Sequence, residues 1–248
     1  MIRRGESAHV DFKLVLPREI GRTIASFATC GGGIIIVGVS DANEIVGLDL
    51  ENQTENSFRS RVDNARASIH PSCFAEISFE AVEGKTVAVI RVPNGPRPMY
   101  YYESRPYIRD GTVSRPATPE EVEEFVLNYY FTQGLRAVVN EMKVISSLVD
   151  RRLPILELPV DSWKELIRLT STPEQEAILE TALRVYNRVL FYNNKGQRLL
   201  NQPVESLDDD GPLIKGFISL REQEFKSTDI LRSTISTLEV ELARFNGV

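Results

Sequence analysis

The run Cys30-Gly31-Gly32-Gly33 leads straight into Ile34-Ile35-Ile36-Val37-Gly38-Val39. The apolar residues do not alternate with polar ones, so the run predicts a strand buried on both faces. A strand of that kind needs structure packed on each side, which points to an α/β domain. Pro17 to Thr29 supplies a short amphipathic helix, with Ile20, Ile24, Phe27 and Ala28 at i, i+4, i+7 and i+8. Pro17 suits its first position and Gly31 the stop just past its end. Asn52 to Ile69 places Phe58, Val62, Ala65 and Ile69 on one helical face, and Pro71 ends it. Phe74 to Glu80 and Thr86 to Val92 form strands joined across Glu83-Gly84, a hairpin signal. Tyr100 to Tyr102 and Tyr107 to Arg109 are short strand candidates in a Tyr/Arg-rich stretch.

From Thr118 the texture becomes helical. Thr118-Pro119-Glu120-Glu121 joins a capping threonine to proline at the first helical position and glutamate at the third. That helix is expected to reach about Leu148. Asp161 opens a second, and Ser171 or Thr172 before Pro173-Glu174 opens a third, running to about Asn193. Asn194 to Pro212, with Asp208-Asp209-Asp210, is expected to be a polar loop. A last helix spans about Ser219 to Phe245. The domains expected are therefore a mixed-sheet α/β domain over 1–118 and an acidic all-helical domain over 119–248.

Composition narrows the classes. With 248 residues, 42% hydrophobic and 26% charged, the chain has enough apolar material for a sizeable core, so disorder and fibrous classes are excluded. Two cysteines and two histidines exclude a Cys/His zinc module and a disulfide scaffold, and the expectation is a reducing cytoplasm. The Ile34–Val37 run is too short to span a bilayer, and residues 1–6 lack an apolar signal-peptide core. The net charge of −6 is uneven. Residues 1–118 hold 14 basic and 14 acidic residues, and 12 of those 14 cations are arginine. The whole deficit falls in the helical half. Arginine offers planar, bidentate recognition of phosphate.

Two constellations carry chemistry. The glycine turn is not a Walker loop, because no Lys-Ser/Thr follows it. Nor is it a dinucleotide fingerprint, since it follows a helix and precedes a strand; a tight αβ connection is the simpler account, and no ATP is expected. The second constellation is acidic: Glu6, Asp11 and Asp41 lie on separate segments that converge if residues 6–13 pair beside strand 34–39. Clustered carboxylates suit Mg²⁺ or Mn²⁺, which activate water in phosphodiester cleavage; the alternative is three solvated surface acids.

Gly5-Glu6-Ser7, Asp11-Phe12-Lys13, Ala25-Ser26-Phe27-Ala28-Thr29, the glycine turn, the strand closing Gly38-Val39-Ser40-Asp41 and Ile45-Val46-Gly47-Leu48 together resemble the Schlafen AlbA_2 domain. Ile69-His70-Pro71, Val92-Pro93, Arg97-Pro98-Met99-Tyr100, Tyr107-Ile108-Arg109-Asp110-Gly111-Thr112 and Arg115-Pro116-Ala117 continue the resemblance in order, over about residues 3–118. It implies a compact mixed-sheet α/β fold that binds nucleic acid. Through Glu6, Asp11 and Asp41 it further implies a metal-dependent nuclease acting on RNA before DNA, with Asp11 standing where the family usually has glutamate.

Other residues divide between roles. Lys13 either contacts a scissile phosphate or pairs with an acid. Arg97, Arg105, Arg109 and Arg115 are interleaved with Tyr100, Tyr101, Tyr102 and Tyr107, which fits phosphate contact plus base stacking or a half-buried sheet. Arg109 and Lys13 would position the backbone. Arg59, Arg61 and Arg66 lie on the outer face of the second helix. Cys30 is expected to be a small buried thiol, His70 a helix-end residue and His9 an exposed one. The amphipathic C-terminal helices pack on the sheet or each other, or take a protein partner or a second copy. The rival to a nuclease is a non-catalytic DNA-binding regulator or a scaffold in a multiprotein system such as phage or antiviral defence.

Overall fold

A computed structural model describes residues 2–51, 54–151, 155–201, 212–225 and 228–246. The protein is mixed α/β and divides into two compact units, Met1–Val126 and Leu127–Gly247.

The first unit holds two four-stranded sheets. In one, β1 (Val10–Lys13) runs parallel to β2 (Gly32–Val37), and β2 pairs antiparallel with β5 (Lys85–Pro93), which pairs with β4 (Glu76–Val82). β1 pairs Asp11 with Ile35 and Lys13 with Val37, so the segment carrying two of the acids lies beside the buried strand as expected. The β4–β5 turn has Glu83 at φ 52° and Gly84 at φ 76°, the left-handed pair of a tight hairpin. The second sheet runs β3 (Ile69–His70), β6 (Tyr101–Tyr102), β7 (Arg105–Asp110) and β8 (Val113–Pro116). The last strand extends the expected Tyr107–Arg109 element into a hairpin closed at Gly111.

Helix α1 (Ile20–Thr29) packs against strands of both sheets. It is buried along nearly its whole length, with the small Gly21, Ala25 and Ser26 among its buried positions and Arg22 as the partly exposed exception. It starts at Ile20, three residues after Pro17. Helix α2 (Glu55–Ala67) is capped by Thr54, whose side chain accepts from Ser57 N, and it buries Phe58 and Val62. The main core gathers Ile24, Phe27, Ile35, Val37, Phe58, Ile90, Tyr100 and Tyr102.

The division between units falls within α3 (Pro119–Asp150). Its start is the expected capping box: Glu121 N donates to Thr118 Oγ1 at 3.3 Å and Thr118 N to Glu121 Oε2 at 2.8 Å. The second unit continues with α4 (Asp161–Leu169), α5 (Pro173–Leu200), α6 (Pro212–Glu224) and α7 (Asp229–Asn246). Trp163 stacks on Tyr186 at 4.6 Å, and the Tyr186 hydroxyl donates to Glu141 at 2.5 Å.

Two further helix boundaries depart from the sequence expectation. α5 does not stop at Asn193, because that amide is used across the unit: Oδ1 accepts from Leu158 N and Nδ2 donates to Leu158 O, both at 2.8 Å. The expected loop therefore begins after Leu200, and Asp208-Asp209-Asp210 lie outside the described residues. The single last helix is two. Arg232 N donates to Thr228 O at 2.9 Å, so the Thr228-Asp229 pair starts a new helix.

Gly21 is where α1 meets the second sheet. A Cβ there would stand 2.2 Å from Tyr102 Cε2. Gly21→Ala is expected to destabilise the first unit by about 1–3 kcal/mol despite alanine's better helix propensity, read as a lowered urea midpoint.

Candidate functional site

β1 is an edge strand, and its unpaired side is closed by side chains. Residues 7–10 turn back on themselves, with Ser7 N donating to Val10 O at 2.9 Å. Glu6 Oε1 accepts Phe12 N at 2.7 Å. Lys13 O accepts Gly38 N at 2.8 Å where β2 ends. His9 Nδ1 lies 2.8 Å from Gly32 O, tying the turn to the start of β2.

Asp11 points inward from this edge, with its side chain only 3% exposed. Its Oδ1 lies 3.0 Å from Arg109 Nη2 and its Oδ2 lies 2.7 Å from Lys13 Nζ. The Arg109 side chain is 2% exposed. It donates to Ser114 Oγ at 3.2 Å, to Ser7 O at 3.3 Å and to Val10 O at 3.4 Å, and its guanidinium lies 4.9 Å from the Phe27 ring centroid. Beside it, Arg109 N donates to Cys30 Sγ at 3.3 Å, and burial pushes the Cys30 thiol pKa up. Arg109, expected on phosphate, is thus consumed inside the protein. Lys13 takes the ion-pair alternative.

Asp41 is exposed on a separate turn, in which Glu44 N donates to Ser40 Oγ and Asn43 has φ 62°. This turn neighbours Gly5, whose Cβ would lie 3.8 Å from Asn43 Nδ2. The Glu6 and Asp41 segments are therefore near each other, but the third acid is turned away to its two cations. Among the described residues no group of three or more His, Cys, Asp or Glu is placed to hold a metal ion. The donor set does not fit Mg²⁺ or Mn²⁺: one carboxylate is neutralised by arginine and lysine, and another is bound to a backbone N–H.

The Tyr/Arg stretch sorts by burial. Tyr100, Tyr102 and Tyr107 are core residues, and Tyr107 packs edge-on against Tyr102 at 6.4 Å, so it offers no open face for a base. Tyr101 is half-buried. Arg115 pairs with Glu121 at 2.7 Å and Asp110 at 2.8 Å. Its hydrogen bonds hold the Glu121 carboxyl down at about 2. The α2 arginines are also occupied: Arg59 donates to Ile77 O, Arg61 to Leu16 O and Arg66 to Cys73 O. Arg97 and Arg105 differ. Both are exposed, and among the described residues neither has a hydrogen-bond or ion-pair partner. Arg97 lies on a loop anchored by Gly95 N to Ala28 O at 2.9 Å, and Arg105 is the register partner of Tyr102. Arg18 shares these properties and was not singled out by sequence. It lies three residues ahead of Gly21, whose neighbour is that same Tyr102 ring. Only the Pro17-Arg18-Glu19 helix entry marked it.

Residues 6–118 match the family model described as Schlafen, AlbA_2. This part of the chain is similar to the Schlafen AlbA_2 family. The family points to nucleic-acid association. Similar solved structures include the DIP2311 protein from Corynebacterium diphtheriae, 23% identical over 48% of this chain and 23% of that one, with a TM-score of 0.36. Another is the N-terminal domain of the ATP-dependent DNA helicase RecG-related protein from Nitrosomonas europaea, 24% identical over 36% of this chain and 65% of that one, with a TM-score of 0.29. The chain thus spans less than two thirds of either, and at such TM-scores neither likeness carries an argument. No curated protein matches. Among the described residues no helix is long and apolar enough to cross a membrane.

Within this AlbA_2 segment, the Asp of Asp11-Phe12-Lys13 and the Arg of Tyr107-Ile108-Arg109 are partners of each other. Arg109→Ala removes one side of a buried pair and is expected to cost about 3–5 kcal/mol in urea unfolding. The Asp11→Ala/Arg109→Ala double variant should cost less than the two single losses combined, because neither charge is then stranded. An unchanged midpoint in Arg109→Ala would overturn the assignment. Glu121 gives a pH test. Its carboxyl is depressed, so its stabilising contribution is complete above the ordinary carboxylate range and is lost as pH falls toward 2. Carboxyl-carbon NMR should find Glu121 titrating near 2, and returning to about 4 in Arg115→Ala.

Proposed function

We propose that the AlbA_2 segment is a nucleic-acid-binding module that works without metal-dependent cleavage. The observation that carries this is the engagement of Asp11 by Arg109 and Lys13, which leaves Glu6 and Asp41 without their third acid. Binding then rests on the free cations Arg97, Arg105 and Arg18, which contact phosphates, with Tyr101 at their side. Few phosphate contacts make the interaction weak and salt-sensitive, and a single strand, whose backbone meets the arginines while an unstacked base meets Tyr101, is the form this reading assigns. In this function the chain acts as a regulator or as a scaffold in a multiprotein system such as phage defence, with the helical unit as its second attachment point.

The nuclease alternative requires Asp11 to leave both cations and face Glu6 and Asp41. Incubation with tRNA and single-stranded RNA in Mn²⁺ is expected to give no cleavage above background. Cleavage that disappears in Asp41→Ala would replace the binding role with a catalytic one. In fluorescence-anisotropy titrations, Arg97→Ala and Arg105→Ala should each weaken binding of single-stranded RNA and lower the salt slope by roughly 0.7. Identical slopes in wild type and the double variant would remove these arginines from the interface.

A further inference from the structure

Helix α5 has two faces of different kinds. One carries Ile178, Ala182, Val185, Val189 and Tyr192 into the core of the helical unit. The other is exposed and repeats at steps of three and four residues: Glu176, Glu180, Leu183, Asn187, Leu190, Asn194 and Arg198. Such spacing keeps every member on one stripe. Leu183 is 42% exposed, Leu190 43% and the adjoining Phe191 50%. The stripe is acidic at the start of the helix and basic at its end. Among the described residues, Glu176, Glu180, Arg184 and Arg198 have no ion-pair partner.

These features fit one occupant. We propose that α5 pairs antiparallel with the α5 of a second copy of this chain, about a two-fold axis at Asn187. In that arrangement Leu183 of each copy meets Phe191 of the other, and the two Asn187 amides face each other. Glu176 of each copy meets Arg198 of the other, and Arg184 lies over Leu190 with its stem on the apolar stripe. The same surface serves on both copies, as a closed two-fold interface requires. A parallel pairing is disfavoured by the same residues, because it would set Glu176 against Glu176 and Arg198 against Arg198. A partner of uniform charge would match only one end of the helix. This inference is independent of the nucleic-acid role, since it concerns only the helical unit.

The test is sedimentation equilibrium of the full chain from low to high micromolar concentration. The expected result is a monomer–dimer equilibrium with a dissociation constant of about micromolar order, as suits a one-helix interface. Leu190→Glu should leave only monomer. Glu176→Arg and Arg198→Glu should each weaken the dimer roughly tenfold, since both symmetric contacts turn repulsive at once. The double reversal should restore it to within about threefold of wild type. All three positions are exposed, and circular dichroism checks that helicity is kept. A monomer at every concentration, a dimer indifferent to Leu190→Glu, or a double reversal no better than the singles would each overturn the proposal.

Discussion

The ion pair between Asp11 and Arg109 joins the two sheets of the first unit. Asp11 belongs to β1 of one sheet and Arg109 to β7 of the other, while Phe27 of α1 lies against the guanidinium. A carboxylate this deeply buried must be paired, because its desolvation penalty otherwise falls on the folded state alone. Once paired, it fixes much around it. Arg109 Nη2 also donates to Ser7 and Val10 and Nη1 to Ser114, while Nε is buried without a hydrogen-bond partner, and Ser114 in turn contacts Ser26 Oγ at 2.8 Å. The N-terminal turn, the first strand, α1 and the β7–β8 hairpin are thereby held by one polar cluster inside an apolar core.

The same cluster explains why an acid-rich motif stands at a sheet edge. An edge strand leaves N–H and C=O groups open to pairing with other chains. Here Glu6 takes the Phe12 N–H and Arg109 takes the Val10 carbonyl, so side chains occupy the places a neighbouring strand would fill. The charges of Gly5-Glu6-Ser7 and Asp11-Phe12-Lys13 therefore have a structural use that needs neither metal nor substrate.

Much of the fold was legible because it follows from local rules. The non-alternating Ile34–Val37 run forms the buried β2, Glu83-Gly84 forms the β4–β5 turn, and Thr118 and Thr172 cap their helices as their spacing requires. What was not legible depends on partners distant in sequence. Nothing near Asn193 tells that its amide is taken by Leu158, so an internal asparagine looked like a helix stop. Nothing in the alternation of Tyr and Arg tells which arginine turns inward. Arg109 is separated from Asp11 by most of the unit's length, and residue type alone cannot distinguish a phosphate contact from a buried counterion. Arg18 was missed for the converse reason: its exposure and lack of a partner are properties of the fold.

That sorting changes the meaning of the charge count. The first half is neutral by composition and weighted toward arginine, which suggests a generous phosphate-binding surface. Inside the fold seven of those twelve arginines are spent: Arg109 on Asp11, Arg115 on Glu121, Arg91 on Glu80, Arg22 on Glu19, and Arg59, Arg61 and Arg66 on carbonyls. In the function proposed above, a module with so many of its arginines spent would gain little from counterion release and would hold a single strand loosely at physiological salt. Two such modules in one particle behave differently. Once one is bound, the second meets its strand at the effective concentration set by the tether, which raises retention without any new contact. In the proposed dimer, a charge-neutral recognition unit and a self-complementary acidic-to-basic helix would therefore be complementary solutions: the first would keep each contact reversible, and the second would make a pair of them sufficient.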